Sequence, residues 1–361
     1  MKALTGALGA LVLCGCATAR PSAPPAVASA PTVTVHAAAE TDAVGTANAD
    51  AADDPAIWAA PAGTTVDVDG HQVPGFIAGT DKKAGLYIFG LDGHRLQFIA
   101  DGLLNNVDLR ENVTVDGRPQ VLIGASDRGR MGIALYLYDP AGQGNNAVRP
   151  WGFIRSDVAE PYGFCMGLVG GVPHAILIAK DGGVRQYRID AGPDGGIGTE
   201  VRRFAVGTQS EGCVVDDRAG TLYIGEEDVG VWRYGLDPAA GDARISVQPV
   251  DASGRLVADV EGMSLLRDGD ATYLIVSSQG DSAFSVWQVD GATPAYRGRF
   301  RVEAANGIDA VSGTDGVDAR GGPVGAYPEG LVVVQDDQNE GAQDFKLIDW
   351  REIRRALNLG G

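Results

Sequence analysis

Carboxylates stand at matching places in six segments of this chain, and cations stand among the first of them. Asp53, Asp54, Asp108, Glu160, Glu211, Asp259, Glu261, Asp315 and Asp318 each introduce or accompany a short apolar run. Asp81, Asp127, Asp181, Glu226, Glu227, Asp228, Asp281, Asp336 and Asp337 fall in the turns that follow, and Lys82, Lys83, Arg128 and Lys180 occupy the first three of those turns. Carboxylates gathered this closely repel one another and must be protonated or bound to a cation. An oxygen-rich donor set without a His or Cys group suits a hard ion, calcium best. The four histidines, His36, His71, His94 and His174, lie outside the acidic turns. Acids that hold metal beside bases that hold an anion make a two-sided site, fitted to a phosphate-rich ligand bridged by metal ions. Taken singly, an acidic turn is solvated surface and each base is half of an exposed salt bridge. Repetition makes the stronger case.

The elements that must position these groups are hairpins. GTLYIGEEDVGVWRYGLD (220–237) is an apolar strand, an acidic turn and a second strand, which is a hairpin pattern. Related stretches end at Asp92, Asp139, Asp190, Asp237, Asp290 and Asp349, a period of roughly 50 residues that fits a four-stranded propeller blade. No apolar stripe at helical spacing precedes the C-terminus. The expected fold is all-β, a six-bladed β-propeller of four-stranded antiparallel blades. Strands in a blade run outwards from the channel. The turn between strands two and three therefore shares a face with the entry to strand one, and the acids of both should meet there.

Composition narrows the class. Of 361 residues 52 are glycine, and 47 acidic against 29 basic residues leave a net charge of −18. That balance argues against nucleic acid and is compatible with binding cations. Residues 1–19 combine one early Lys, a short apolar run and small residues, the pattern of an export signal rather than a membrane span. Leu13-Cys14-Gly15-Cys16 resembles a lipoprotein cleavage box that would leave Cys16 lipidated; ordinary cleavage after Ala17-Thr18-Ala19 is the alternative. Residues 20–38, rich in Pro, Ala, Ser and Val, read as a tether, and residues 39–361 as the propeller domain. The expected location is periplasmic, anchored to the outer membrane as a lipoprotein, or secreted. Cys165 and Cys213 follow matching runs, Tyr162-Gly163-Phe164 and Ser210-Glu211-Gly212; an inter-blade disulfide and two buried thiols are both open. Nothing demands an oligomer, and a monomer is expected.

The motifs DAADDPAIW (50–58), DKKAGLY (81–87), LNNVDLR (104–110), PYGF (161–164), EEDVGVW (226–232), SSQGDS (277–282), TDGVD (314–318) and DFKLIDW (344–350) occur in this order. Together they resemble the β-propeller phytases, calcium-dependent phosphatases of inositol hexakisphosphate, over residues 40 to about 350. The resemblance implies metal ligation at the reaction site by Asp53, Glu211, Glu227, Asp259, Glu261, Gln279 and Asp315. It implies phosphate contacts or catalytic roles for Lys82, Lys83, Arg128, Tyr162, Lys180 and Asp181, and a structural calcium at Glu40 and Asp309. It also implies attack on phosphorus by a calcium-bound water or hydroxide, with an adjacent second phosphate pocket. Asp81 and Asp181 depart from the family pattern, which has Asn and Glu there; the second departure puts the reach of that carboxylate in doubt.

Other phosphatase chemistries lack their residues: no Arg-His-Gly-X-Arg and no His-Cys-X5-Arg is present. A calcium-dependent propeller lactonase would leave the Lys82, Lys83, Arg128 and Lys180 group unexplained. A secreted module that binds calcium and inositol phosphate without hydrolysis is the non-enzymatic rival, and fold alone does not separate these.

Overall fold

The computed structural model describes residues 29–47, 50–339 and 341–360. The proposed export signal and Cys16 lie outside the described residues. Strands dominate because the apolar runs are short, β-branched and aromatic, and closed by Gly or Asp turns. Gly75–Asp81 (GFIAGTD) and Gly85–Gly90 (GLYIFG) are buried along their whole length, as strands covered on both faces must be. A single α-helix, Trp350–Ala356, follows the last strand among the described residues, with Asp349 capping its N-terminus. No helix among them is long and apolar enough to cross a membrane.

The arrangement is propeller-like. First strands touch in cyclic order: Ala52–Ala59 with Leu104–Val115, then Pro161–Val169, Ser210–Asp216, Val260–Asp268, Val317–Gly321, and back to Ala52–Ala59. From each, antiparallel strands run outwards. The expected six separate four-stranded sheets are not what the hydrogen bonding gives. Three sheets have four strands and one has five. The eight-stranded sheet joins two four-stranded halves through one parallel pair, Gly152 with Gly196. Both departures arise at outer edges, where an unpaired strand offers free backbone groups to whatever lies beside it.

The fifth strand of the five-stranded sheet is Val33–Val35, which pairs parallel with Ala295–Val302. Residues 29–38 are therefore not a free tether. Ala30 N donates to Gly254 O at 2.8 Å, and Ser29 Oγ donates to Asp281 at 2.5 Å. Ala39–Glu40 then pairs with Ala342–Asp349, so the chain's start completes the sheet that its end begins. Apolar clusters fill the spaces between neighbouring sheets rather than one central core. Tyr138 meets Trp58 and Phe76 edge to face between the first two, and Phe89 meets Phe345 where the last sheet meets the first.

Cys165 and Cys213 form a disulfide across 48 residues, joining two neighbouring first strands at a Cα separation of 5.7 Å. Native protein should therefore resist alkylation at both cysteines until it is reduced. Replacing both by Ala should lower unfolding stability by about 2–4 kcal/mol, read from denaturant midpoints at unchanged slope.

Candidate active site

The first strands bring acids together because glycine directly follows Glu211, Glu261 and Asp315. A Cβ added at Gly163 would strike the Glu211 carbonyl, one at Gly212 that of Glu261, one at Gly262 that of Asp315, and one at Gly316 that of Asp53. Backbones thus pack with no side chain between them; Gly262 N donates to Asp315 O at 2.7 Å. The acids on successive strands are carried to one mouth of the axis.

There, Lys82, Tyr162, Glu211, Glu227, Asp259, Glu261, Gln279 and Asp315 line a cavity of about 470 Å³, with Asp50, Gln209, Gly313 and Asp337. Glu211, Glu227 and Glu261 each offer an oxygen within 4.8 Å of the others'. Lys82 Nζ reaches Asp50 at 2.5 Å, Asp315 at 2.6 Å and Asp53 at 3.1 Å. Gln279 donates to Asp315 at 2.5 Å and Gln209 donates to Glu227 at 2.7 Å. Arg128 enters through Asn105: Nη1 donates to Asn105 Oδ1 at 2.6 Å, and Asn105 Nδ2 donates to Glu211 Oε1 at 2.5 Å. Lys180 Nζ lies 5.2 Å from the Tyr162 ring centre, close enough for a cation–π contact.

Burial is the largest influence on every acid in the cluster. It pushes Asp315 up to about 7 and Asp53 up to about 6, with the Lys82 ammonium pulling both down. Glu211 is raised by burial against Lys82; Glu261 is raised well above its ordinary value by burial and the Glu211 charge. Glu227 and Asp259 are raised by burial as well. Burial and then Glu211 push the Tyr162 phenol far up, so it is a donor, not a base. Oδ2 of Asp53, Oε1 of Glu227 and Oε2 of Glu261 are buried without a hydrogen-bond partner, and Asp53 Oδ1 faces the Lys82 ammonium. Buried anionic oxygens without donors are costly, and a hard divalent cation fits them.

Several expected residues are elsewhere. Asp54, Asp108 and Asp318 do not join the mouth; they lie deeper, accepting from Val107 N at 3.2 Å, Met166 N at 2.8 Å and Ile57 N at 2.7 Å on neighbouring first strands. Asp81 and Asp127 cap their own turns, accepting from Lys83 N and Arg130 N, and Asp281 pairs with Arg299 at 2.6 Å. Lys83, Lys180 and Asp181 are exposed, Asp181 accepts from Gly183 N at 3.0 Å, and none of these three nor Arg128 is part of the cavity lining. Glu40 and Asp309 form a separate cluster around Lys346, whose Nζ is 2.7 Å from Glu40, 2.6 Å from Asp309 and 2.9 Å from Asp344. An ammonium therefore stands between the two acids expected to share a calcium. Asp336 Oδ2 and Asp344 Oδ1 remain without hydrogen-bond partners there. Gln209 was not anticipated, although its position two residues before Glu211 puts both on one face of an extended chain.

A family model described as Phytase matches residues 1–360. The 3-phytase of Bacillus subtilis (strain 168) is 35% identical over 340 residues, covering 90% of this chain and 85% of that protein. The GH43_1 enzyme from Xanthomonas citri superimposes with TM-score 0.42 at 14% identity, over 67% of this chain and 86% of that one. BBS1N in complex with ARL6DN gives 0.44 at 12%, over 76% and 75%. At those scores neither solved structure bears on the fold. The repeated acids, the closed ring of first strands and these matches converge: the chain belongs to the β-propeller phytase family.

Two outcomes follow from the site's geometry. The cluster acids bind protons more tightly folded than unfolded, so their ionisation disfavours the folded state. In chelator, the thermal midpoint should fall as pH rises from about 4 to about 7, the window between the ordinary value of 3.8 and that of Asp315. Gly212→Ala should cost roughly 1–3 kcal/mol by forcing two first strands apart, measured by denaturant unfolding.

Proposed function

We propose that the enzyme is a calcium-dependent phytase, hydrolysing phosphate monoesters of inositol hexakisphosphate to phosphate and lower inositol phosphates. The observation that carries this reading is the convergence of Glu211, Glu227 and Glu261, with Oε1 of Glu227 and Oε2 of Glu261 undonated, beside a buried lysine. Asp53, Glu211, Glu227, Asp259, Glu261, Gln279 and Asp315 would hold calcium. Bound there, the ions supply positive charge against phosphate oxygens and lower the pKa of water.

The chain's own residues do the rest. Lys82, Arg128 and Lys180 bind and orient phosphate oxygens and balance charge developing on them. Tyr162, kept protonated by burial and by the acids around it, donates a hydrogen bond towards the phosphate or the leaving oxygen. Lys82 is ion-paired to Asp50, Asp53 and Asp315; cations taken up by those acids would free its charge for substrate. The cavity's charged and amide lining suits phosphate rather than the apolar pocket of a lactonase.

The finer architecture belongs to the same reading. With the eight-stranded sheet divided at its single parallel pair, the strands make six four-stranded blades of a monomeric propeller. Glu40 and Asp309 are read as a structural calcium site, supported by the excess of acids over Lys346. Export, with or without a lipid on Cys16, agrees with a disulfide, which persists in oxidising compartments.

Phosphate release from inositol hexakisphosphate at neutral pH should require calcium and stop in excess chelator. Glu211→Gln should keep the fold and lose roughly 10²–10³ of kcat. Release undiminished by chelator, or by the substitution, contradicts the assignment.

A further inference from the structure

Arg128 and Glu211 serve opposite sides of the proposed site, and one residue holds both. Asn105 is fully buried near the start of Leu104–Val115. Its amide is polar in one direction only: the carbonyl oxygen accepts from the Arg128 guanidinium at 2.6 Å, and the NH₂ donates to the Glu211 carboxylate at 2.5 Å. A guanidinium has no acceptor and a carboxylate no donor when ionised, so this orientation of the amide is the one that satisfies both. Around it, Ser126 Oγ donates to Tyr162 O at 2.6 Å and accepts from Asn106 N at 3.1 Å. The backbone bearing Asn105 is therefore tied to the strands bearing Arg128 and Tyr162.

We propose that Asn105 is a positioning residue that couples the phosphate-binding Arg128 to the metal-binding Glu211. The proposal rests on the phytase reading above. Its amide donor holds one Glu211 oxygen, which fixes how the carboxylate faces the cluster. Its carbonyl holds Nη1 and Glu160 lies 3.5 Å from Nε, which leaves Nη2 for an anion. Charge on either side is thereby held in register with the other before substrate arrives. The side chain does not line the cavity, so it acts through its two partners.

The two arms separate by substitution. Asn105→Asp keeps an acceptor for Arg128 and removes the donor to Glu211; Asn105→Ala removes both. The alanine variant should bind calcium roughly 10–100-fold more weakly in a calorimetric titration without substrate, and should lose kcat and raise KM for inositol hexakisphosphate. The aspartate variant should lose kcat with KM close to that of the wild type, because the phosphate arm remains. Arg128→Ala should raise KM less in the alanine background than in the wild type. A merely structural asparagine would lower the thermal midpoint and leave this split absent.

Wild-type kinetic constants and calcium affinity in folded Asn105→Ala would overturn the proposal, as would identical kcat and KM in the two variants. Should the alanine variant not fold, the KM-against-kcat split of Asn105→Asp decides alone. Failure of the wild type itself to release phosphate with calcium would instead remove the phytase reading on which the proposal rests.

Discussion

The structure depends on how closely the first strands approach one another. At Gly163, Gly212, Gly262 and Gly316 the neighbouring backbone occupies the place of a side chain, and the acid borne by that neighbour is carried towards the axis. Geometry that compact concentrates like charge where water is scarce. Each carboxylate loses hydration and gains repulsion, and the raised proton affinities of Asp53, Glu211, Glu261 and Asp315 share burial as their first cause. Lys82 offsets part of this with three ion pairs. It does not pair with Oε1 of Glu227 or Oε2 of Glu261, which are left without donors. The cluster is thus built short of positive charge, and that shortage is what suits it to a cation.

Stability and chemistry divide the acids between them. Asp54, Asp108 and Asp318 carry backbone amides from one first strand to the next, while Asp53, one residue from Asp54, faces Lys82. The pair of aspartates, at an irregularity in the strand's pairing, thus supplies one staple and one acid that faces the site's lysine. The disulfide between Cys165 and Cys213 acts on the same strands, three residues from Tyr162 on one and two from Glu211 on the other. The elements bearing the site are tied to one another by these amides and the disulfide, which limits how far a repelling carboxylate can withdraw.

Much of this was legible in residue order. Repeated hairpins ending in aspartate indicated strands around an axis, and half of the cavity lining came from acids that recurred in those repeats. What the chain did not disclose depends on three-dimensional neighbours. Nothing local distinguishes Asp54 from Asp53, or Asp127, which caps a turn, from Glu227, which lines the cavity. Asn105 carries no charge pattern, and its two partners lie 23 and 106 residues away. Residues 33–35 sit in a Pro/Ala/Ser/Val-rich stretch that reads as linker; their pairing depends on an outer edge near residue 300. Lys346 lies in a strand pattern, and only folding shows that its ammonium stands between Glu40 and Asp309. The merging of two sheets at Gly152 and Gly196 likewise leaves no mark in the repeat.

The most direct measurement is anomalous diffraction from crystals grown with calcium. The account predicts peaks at about 2.3–2.6 Å from carboxylate oxygens of Glu211, Glu227 and Glu261, with Lys82 drawn away from at least one of its acids. A well-ordered cluster with no peak, at saturating calcium and neutral pH, would show that protons and Lys82 alone balance these carboxylates, and would contradict it.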